Sequence, residues 1–320
     1  MIVDIDNSII NQAEVNLPPD LLLVILGPTA SGKTSLAVQL AQALRGEIIS
    51  IDSRQVYAGM DIGTGKDLPA YQDIPYHLID ICSPGEKYHV SRFLTDFKQA
   101  YTQLIARGKQ PIACGGTGMY LHALLQDQPY INVPVDHVLR GTLASQTKEA
   151  LIDSLIAFNI PEGFKIDRSS HKRLIRAIEI LTYLKSDPTF NLGSEPLKYP
   201  YKIFGLDPAT ALRRQRISDR LTQRLQAGLL EEIESLLAQG ISHTALQYYG
   251  LEYKYGSMHL LGELDYKSFY AKLETEIHRY AKRQMTFYRK MEKDGIAIQW
   301  LKAENTADQL AEILLEIKKG

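Results

Sequence analysis

The chain of 320 residues has little cysteine, no long apolar run and almost no net charge, and each shortage removes a class of protein. Its two cysteines, Cys82 and Cys114, stand far apart without C-x-x-C spacing. That leaves no disulfide framework or zinc ribbon to read, and both thiols are expected to be small buried groups in a reducing compartment. None of the eight histidines forms an H-x-x-x-H or H-E-x-x-H pair, so no histidine-built metal site is expected. No apolar run approaches the roughly 20 residues that a membrane-spanning helix needs. The opening stretch, MIVDIDNSIINQAEVNLPPD, is acidic where a signal peptide is basic. A soluble cytoplasmic protein with no membrane partner follows as an expectation. Lys and Arg together number 36 against 37 Asp and Glu, which argues against a generally basic nucleic-acid binder, so any such site must be focal. The sequence shows neither a fixed-period repeat nor a low-complexity tract.

What the sequence does contain is enough apolar material, 45% of its residues, for a substantial core. Short apolar runs recur at LLLVIL (Leu21 to Leu26), EIISID (Glu47 to Asp52), HLIDI (His77 to Ile81), PIACGG (Pro111 to Gly116) and YKIFGLD (Tyr201 to Asp207). Their continuous rather than alternating character predicts strands buried on both faces. Helical patterns such as SLAVQLAQAL and VSRFLTDFKQAYTQLIARG separate several of them, which predicts an α/β fold with a parallel sheet flanked by helices. From Gln126 to Tyr199 the strand signal disappears, while HVLRGTLASQTKEALIDSLIAF and SSHKRLIRAIEILTYLK read as helical. The expected organisation is therefore a tail over residues 1–20, a core over 21–125 and 200–320, and a helical insertion domain over 126–199. After Asp207 the pattern is again helical, closing on a short strand in AIQWL.

Gly27-Pro28-Thr29-Ala30-Ser31-Gly32-Lys33-Thr34 satisfies G-x-x-x-x-G-K-[ST] between a strand and a helix, the setting that a phosphate loop of the ATP- and GTP-binding type requires. Backbone N–H groups face the anion at the helix N-terminus, Lys33 adds a point charge, and the Thr34 hydroxyl is offered to Mg²⁺. This chemistry recognises a diphosphate and leaves the rest of the ligand open. Asp52 ends the second strand, so it is expected at the same sheet edge. By position alone it is a magnesium-holding carboxylate, a helix cap or a catalytic base. Thr117, in Gly115-Gly116-Thr117-Gly118, reads equally as a helix-capping threonine or a site residue.

The succession GPTASGKT, SIDSRQVYAGMDIGTGK, PYHLIDI and GGTGMYLHALL resembles the tRNA dimethylallyltransferase (tRNA isopentenyltransferase) family. The likeness continues in HKRLIRAIE from His171, in Arg216-Ile217-Ser218-Asp219-Arg220 and in Ala281-Lys282-Arg283-Gln284-Met285-Thr286, covering about Leu21 to Trp300. The resemblance implies that the loop, through Gly27, Thr29, Ala30, Ser31, Gly32, Lys33 and Thr34, grips the diphosphate of dimethylallyl diphosphate. The prenyl group then passes to N6 of an adenosine beside the anticodon. It assigns catalysis to Asp52, Lys33, Thr34, Thr117, Arg216 and Arg220, with Asp52 as proton acceptor, the arginines on the leaving diphosphate and Mg²⁺ as cofactor at Thr34. Contacts with the tRNA anticodon stem-loop fall to Asp52, Ser53, Arg54, Gln55, Thr117, Lys172, Arg173, Arg176, Lys282 and Arg283. Each basic cluster read alone is equally a solvated helix face. The insertion is short for the family, and Leu251 follows Gly250 where the family has tyrosine, which is expected to alter packing near the donor. With no cysteine-histidine finger after Gly295, the chain reads as bacterial in type and as a monomer. Prenylation of free adenosine nucleotides, a small-molecule kinase and a noncatalytic nucleotide-binding regulator remain alternatives, and the inserted helices with Lys282-Arg283-Gln284 favour the tRNA form.

Overall fold

The computed structural model describes residues 17–126, 129–190, 199–302 and 304–319. Of the tail expected over residues 1–20, residues 1–16 lie outside the described residues. The elements run β1 (Leu22–Leu26), α1 (Lys33–Leu44), β2 (Gly46–Ser50), a 3-10 turn (Leu68–Tyr71), β3 (Tyr76–His77), α2 (Val90–Ala106), β4 (Gln110–Gly115) and α3 (Gly118–Leu125). There follow α4 (His137–Ala144), α5 (Lys148–Ile156), α6 (His171–Ser186), β5 (Tyr201–Gly205), α7 (Thr210–Gln226) and α8 (Leu229–Ala238). The chain ends with α9 (His243–Tyr249), α10 (Leu251–Leu260), α11 (Tyr266–Lys293), β6 (Gln299–Trp300) and α12 (Thr306–Lys318).

These elements fall into two compact units, one within Met1–Leu125 and Lys198–Gly320, the other within Gln126–Leu197. The first unit holds a six-stranded sheet in the order β3-β2-β4-β1-β5-β6, and all its pairings are parallel. Because side chains alternate across a strand, the unbroken apolar runs feed two cores at once. Leu22, Val24, Leu26, Ile49 and Ala113 face a core shared with α2, α3 and α11. Their neighbours Leu23, Ile25, Ile48, Ile112 and Cys114 face a second core with α1 and α12. β4 lies between β1 and β2, so the turn after it must touch the segments that follow both.

Three expected elements are shorter than the sequence pattern suggests, and each has a local cause. The strand expected over His77 to Ile81 keeps only Tyr76–His77, because Leu78 and Asp80 take positive φ values of 62° and 56° and turn the chain out of the sheet. Asp80 thereby reaches the buried ammonium of Lys66. The helical stretch from His137 to Phe158 is two helices, since the Thr147 hydroxyl accepts the Ala150 N–H at 3.2 Å and starts α5 afresh. The long run after Asp207 divides at Gly228, whose φ of 99° ends one helix and starts the next.

The second unit has no strand among its described residues and buries Leu143, Leu151, Leu155, Leu174 and Ile178 between α4, α5 and α6. Its central polar group is Glu179, which accepts hydrogen bonds from Arg140 at 2.8 Å to each carboxylate oxygen, from the Asp136 N–H at 2.7 Å, and from Arg176. Those bonds outweigh the penalty of burial and hold its carboxyl below the usual range.

At the base of the sheet in the first unit, Glu47 is 2% exposed and accepts from His77 Nε2 at 2.8 Å and Arg107 Nη2 at 2.7 Å. Burial alone would raise its carboxyl, but the two hydrogen bonds and their charges prevail and lower it from about 4.5. A lowered carboxyl stabilises the fold above its unfolded value and loses that contribution as pH falls through its folded value. We expect Glu47→Gln to cost about 1–3 kcal/mol at pH 7, measured by urea unfolding. The gap to wild type should narrow below pH 4.5; a constant gap across the acid range would show that the carboxylate charge is not the cause.

Candidate functional site

The loop from Gly27 to Thr34 leaves the carboxyl end of β1 and enters α1 through Gly32 at a φ of 92°. Its polar groups are short of partners. The Ser31 hydroxyl is buried with no hydrogen bond, and Thr34 has none among the described residues. Lys33 Nζ donates to the Pro28 carbonyl at 2.9 Å, folding back on its own loop. Burial pushes the Lys33 ammonium below its ordinary value; nearby Arg220 adds to the fall, and Cys114, Asp52 and Asp67 oppose it. Orphaned hydroxyls and a desolvated cation at a helix N-terminus suit an anion that brings its own charge and acceptors.

Lys33 and Thr34 line a cavity of about 410 Å³ together with Thr29, Asp52, Arg54 and Gln55. Asp52 Oδ1 accepts the Arg54 N–H at 2.8 Å, which fixes the carboxylate plane in an Asx turn. Oδ2 makes no hydrogen bond among the described residues, so one oxygen is held and the other is open to the cavity. The Ser53 N–H donates to the Thr117 hydroxyl at 3.1 Å. Thr117 thus braces the Asp52 turn from outside the lining, which neither sequence reading of this residue anticipated. Gln55 is also engaged, accepting from the Ser50 hydroxyl at 3.0 Å and donating to the Gly65 carbonyl at 3.1 Å. Leu251, at the start of α10, is part of the same lining.

A larger cavity of about 970 Å³ lies against the other side of the loop. It shares Lys33, Thr34, Arg220 and Arg224 with the first and adds Ala30, Ser31 and Arg216. Arg216 has no hydrogen bond or ion pair among the described residues, whereas Arg220 donates to the Gly65 carbonyl at 3.2 Å and pairs with Asp67. Arg224 pairs with Glu252 at 2.9 Å and keeps a buried, unpartnered Nε. Burial and the neighbouring Arg224 lower the Arg220 guanidinium from its ordinary value. A wall of cations held by only a few carboxylates separates the two cavities, and both have access to the loop.

Several residues that build this site were given no role in its framework from the sequence, although Gln284 lies in the Lys282-Arg283-Gln284 stretch. Gln284 and Tyr288, one turn apart on α11, join the loop after β1 to the turn after β4. The Thr29 N–H donates to Gln284 Oε1 at 2.9 Å and Gln284 Nε2 donates to the Gly116 carbonyl at 2.9 Å. The Tyr288 hydroxyl lies 3.0 Å from the Gly27 carbonyl and 2.9 Å from that of Gly116. The available signal was a glutamine on the helix face that also carries Ile277, Ala281, Met285 and Met291. Glu232 on α8 accepts three successive N–H groups, Asp61 at 2.7 Å, Ile62 at 2.8 Å and Gly63 at 3.0 Å. Lys66 is buried against Asp61 at 2.6 Å and the Tyr57 carbonyl at 2.7 Å. Together they fix the segment whose Gly65 packs on the guanidiniums of Arg220 and Arg224.

The remaining expected RNA contacts are distributed differently. Lys282 and Arg283 are exposed on α11, and Lys172 and Arg173 are exposed on α6 in the second unit, with Arg173 paired to Asp167. Arg176 is committed within its own unit, donating to the Val133 carbonyl at 2.7 Å and to Glu179. Among the described residues no group of three or more His, Cys, Asp or Glu could hold a metal by itself. The Thr34 hydroxyl, free of any protein partner among the described residues, fits a magnesium ion that completes its shell with phosphate oxygens and water. No helix among the described residues is long and apolar enough to cross a membrane.

Comparison with known proteins gives one family. The family model described as IPP transferase matches residues 55–291, and one described as isopentenyl transferase matches residues 21–73. The chain is 47% identical over 300 residues to tRNA dimethylallyltransferase 2 of Porphyromonas gingivalis, covering 92% of this chain and 98% of that protein. It is also 47% identical to tRNA dimethylallyltransferase 1 of Geotalea daltonii, covering 92% and 94%. Among solved structures, the full-length tRNA isopentenylpyrophosphate transferase of Bacillus halodurans is similar with a TM-score of 0.69 at 31% identity, covering 94% of this chain and 96% of that one. A eukaryotic dimethylallyltransferase solved acting on tRNA is similar with a TM-score of 0.69 at 26% identity, covering 87% and 73%.

The bridge through Gln284 sets the position of a loop N–H, so its loss should register in anion affinity before any chemistry occurs. Gln284→Leu is expected to weaken binding of inorganic diphosphate about tenfold in isothermal titration, since the Thr29 N–H loses the acceptor that fixes its position and the Gly116 carbonyl keeps only Tyr288. Unchanged affinity would mean that the loop holds its shape without α11.

Proposed function

This chain belongs to the IPP transferase family, and from that premise we propose that it transfers the dimethylallyl group of dimethylallyl diphosphate to N6 of the adenosine on the 3′ side of the anticodon in tRNA, releasing diphosphate. The observation that carries the reading is the single cavity in which the open oxygen of Asp52 meets Lys33 and Thr34 of the phosphate loop. Here the base and the loop converge on a small cavity suited to one nucleobase edge and a short alkyl group.

In the reaction, the adenine N6 lone pair attacks C1 of the allylic donor as the bond from C1 to the diphosphate oxygen breaks. The electron pair of that bond leaves with the diphosphate, and the proton lost by N6 passes to Asp52 Oδ2. The charge that grows on the leaving oxygens is met by Lys33, by the loop N–H groups and by Arg216 and Arg220. Arg216, which has no hydrogen bond or ion pair among the described residues, is suited to a contact made only when the donor is bound. Thr34 would hold magnesium, which supplies further neutralisation of the diphosphate when bound. Thr117, through Ser53, keeps the Asp52 turn in place while the acceptor enters. The larger cavity suits entry of the donor from one side of the loop, leaving the Asp52 side to the RNA.

An adenine stacked in an anticodon loop cannot reach Asp52, so the acceptor must be splayed out of the loop. Exposed Lys282 and Arg283 of the first unit supply cations for RNA phosphates, and Lys172 and Arg173, exposed on the second unit, supply a separate pair.

Two measurements test the reading. Asp52→Asn keeps the shape of the turn but removes the proton acceptor, so single-turnover transfer to an anticodon stem-loop should slow by roughly 10²- to 10⁴-fold with donor and RNA still bound. Near-normal transfer would remove Asp52 from the chemistry. The wild-type protein should also prenylate the unmodified stem-loop much faster than AMP at equal concentration, and reversal of charge at Lys172 and Arg173 should impair only the RNA reaction. Faster transfer to AMP, indifferent to the reversals, would assign the chain to free-nucleotide prenylation.

A further inference from the structure

The acceptor cavity contains an aromatic ring and a guanidinium that the transfer chemistry does not use. Tyr280 on α11 and Arg54 after β2 both line the cavity with Asp52. Tyr280 is 37% exposed and belongs to none of the apolar clusters, because the buried face of α11 is carried by Leu273, Ile277, Ala281 and Met285. Like Arg216, and unlike Arg220 and Arg224, Arg54 has no hydrogen bond or ion pair to its guanidinium among the described residues. Each of the two is nevertheless held. The Arg283 guanidinium lies over the Tyr280 ring at 5.9 Å, and the Arg54 guanidinium lies over the Tyr248 ring at 5.0 Å. Tyr248 is itself 46% exposed and outside the apolar clusters.

A large ring exposed in a cleft and a guanidinium without a carboxylate both lack a folding role, and both are surfaces on which an unpaired base stacks. A cavity of about 410 Å³ admits one purine with a five-carbon group and not a stack of bases. We propose that Tyr280 and Arg54 are the stacking surfaces for the acceptor adenine, held in place by Arg283 and Tyr248, and that they determine the preference of the site for a splayed purine. The proposal rests on the tRNA reading above. Base stacking on such planes tolerates any purine face, so it supplies affinity while Asp52 selects the exocyclic amine.

The test compares binding of two anticodon stem-loops, one with adenosine and one with an abasic residue at the acceptor position, titrated without donor. Wild-type protein should prefer the adenosine form by roughly tenfold. Tyr280→Leu should reduce that preference to threefold or less, and Tyr280→Phe, which keeps the ring, should retain it. Arg54→Lys keeps the charge and loses the plane, so it should fall with the leucine variant. A full preference in Tyr280→Leu would overturn the stacking role of that ring, and a full preference in Arg54→Lys would overturn that of the guanidinium. Absence of prenyl transfer to the adenosine stem-loop by wild-type protein would instead overturn the tRNA reading, and the platform with it.

Discussion

The site depends on how closely the chain passes itself where β4 ends. A Cβ placed on Gly115 would lie 2.3 Å from the Ile51 carbonyl oxygen, and one on Gly116 would lie 2.4 Å from Gln284 Nε2. With hydrogens for side chains, the turn after β4 can sit between the segment that carries Asp52 and the loop that carries Lys33. The Thr117 N–H then donates to the Ile51 carbonyl at 3.2 Å, and the Gly116 carbonyl accepts from both Gln284 and Tyr288. Three strand ends are thereby locked at one edge, and Asp52 and the loop that carries Lys33 come to share a cavity. An alanine at Gly115 would have to push β2 and β4 apart, which moves Asp52 away from Lys33 at the same time.

Charge management follows from that convergence. Lys33, Arg216, Arg220 and Arg224 surround one opening, and without a ligand such a group repels itself. Asp67 and Glu252 take up part of the repulsion through Arg220 and Arg224. Asp67 is more than half exposed, so its pairing is a weak restraint that an incoming diphosphate can outbid with two or more charges. Lys33 resting on the Pro28 carbonyl is another replaceable contact. The cations are consequently preorganised without being neutralised, as stabilisation of a leaving group requires.

Much of this was legible in the sequence because it is encoded locally. The phosphate loop needs eight consecutive residues between a strand and a helix, and the buried parallel strands announce themselves as unbroken apolar runs. Asp52 and the turn from Gly115 could be placed at the ligand edge by their position at strand ends. The pieces that escaped are contacts across long sequence separations. Gln284 meets Thr29 across 255 residues, and a lone glutamine on an apolar helix face says nothing of what it will meet. Glu232 resembles any other acid of an amphipathic helix until the Asp61 to Gly63 segment wraps its N–H groups around it. Arg176 shows the reverse case: its place in a basic cluster suggested an RNA contact, and its bonds to Glu179 and Val133, which tie it within its own unit, are invisible to periodicity.

On the proposed reading, the same helix faces both substrates. The inward side of α11 carries Gln284 and Tyr288 to the phosphate loop, while its exposed side carries Lys282 and Arg283, with Tyr280 lining the Asp52 cavity one turn earlier. A rigid helix of 28 residues cannot move one of these sides without the other. An RNA that settles on Lys282 and Arg283 therefore bears on the helix that sets the Thr29 N–H, and a diphosphate that tightens the loop bears on the helix that presents Tyr280. Coupling of this kind needs no second conformation of the sheet. It needs only that the glutamine bridge transmits displacement in both directions, and linkage then requires each ligand to change the affinity for the other by the same factor.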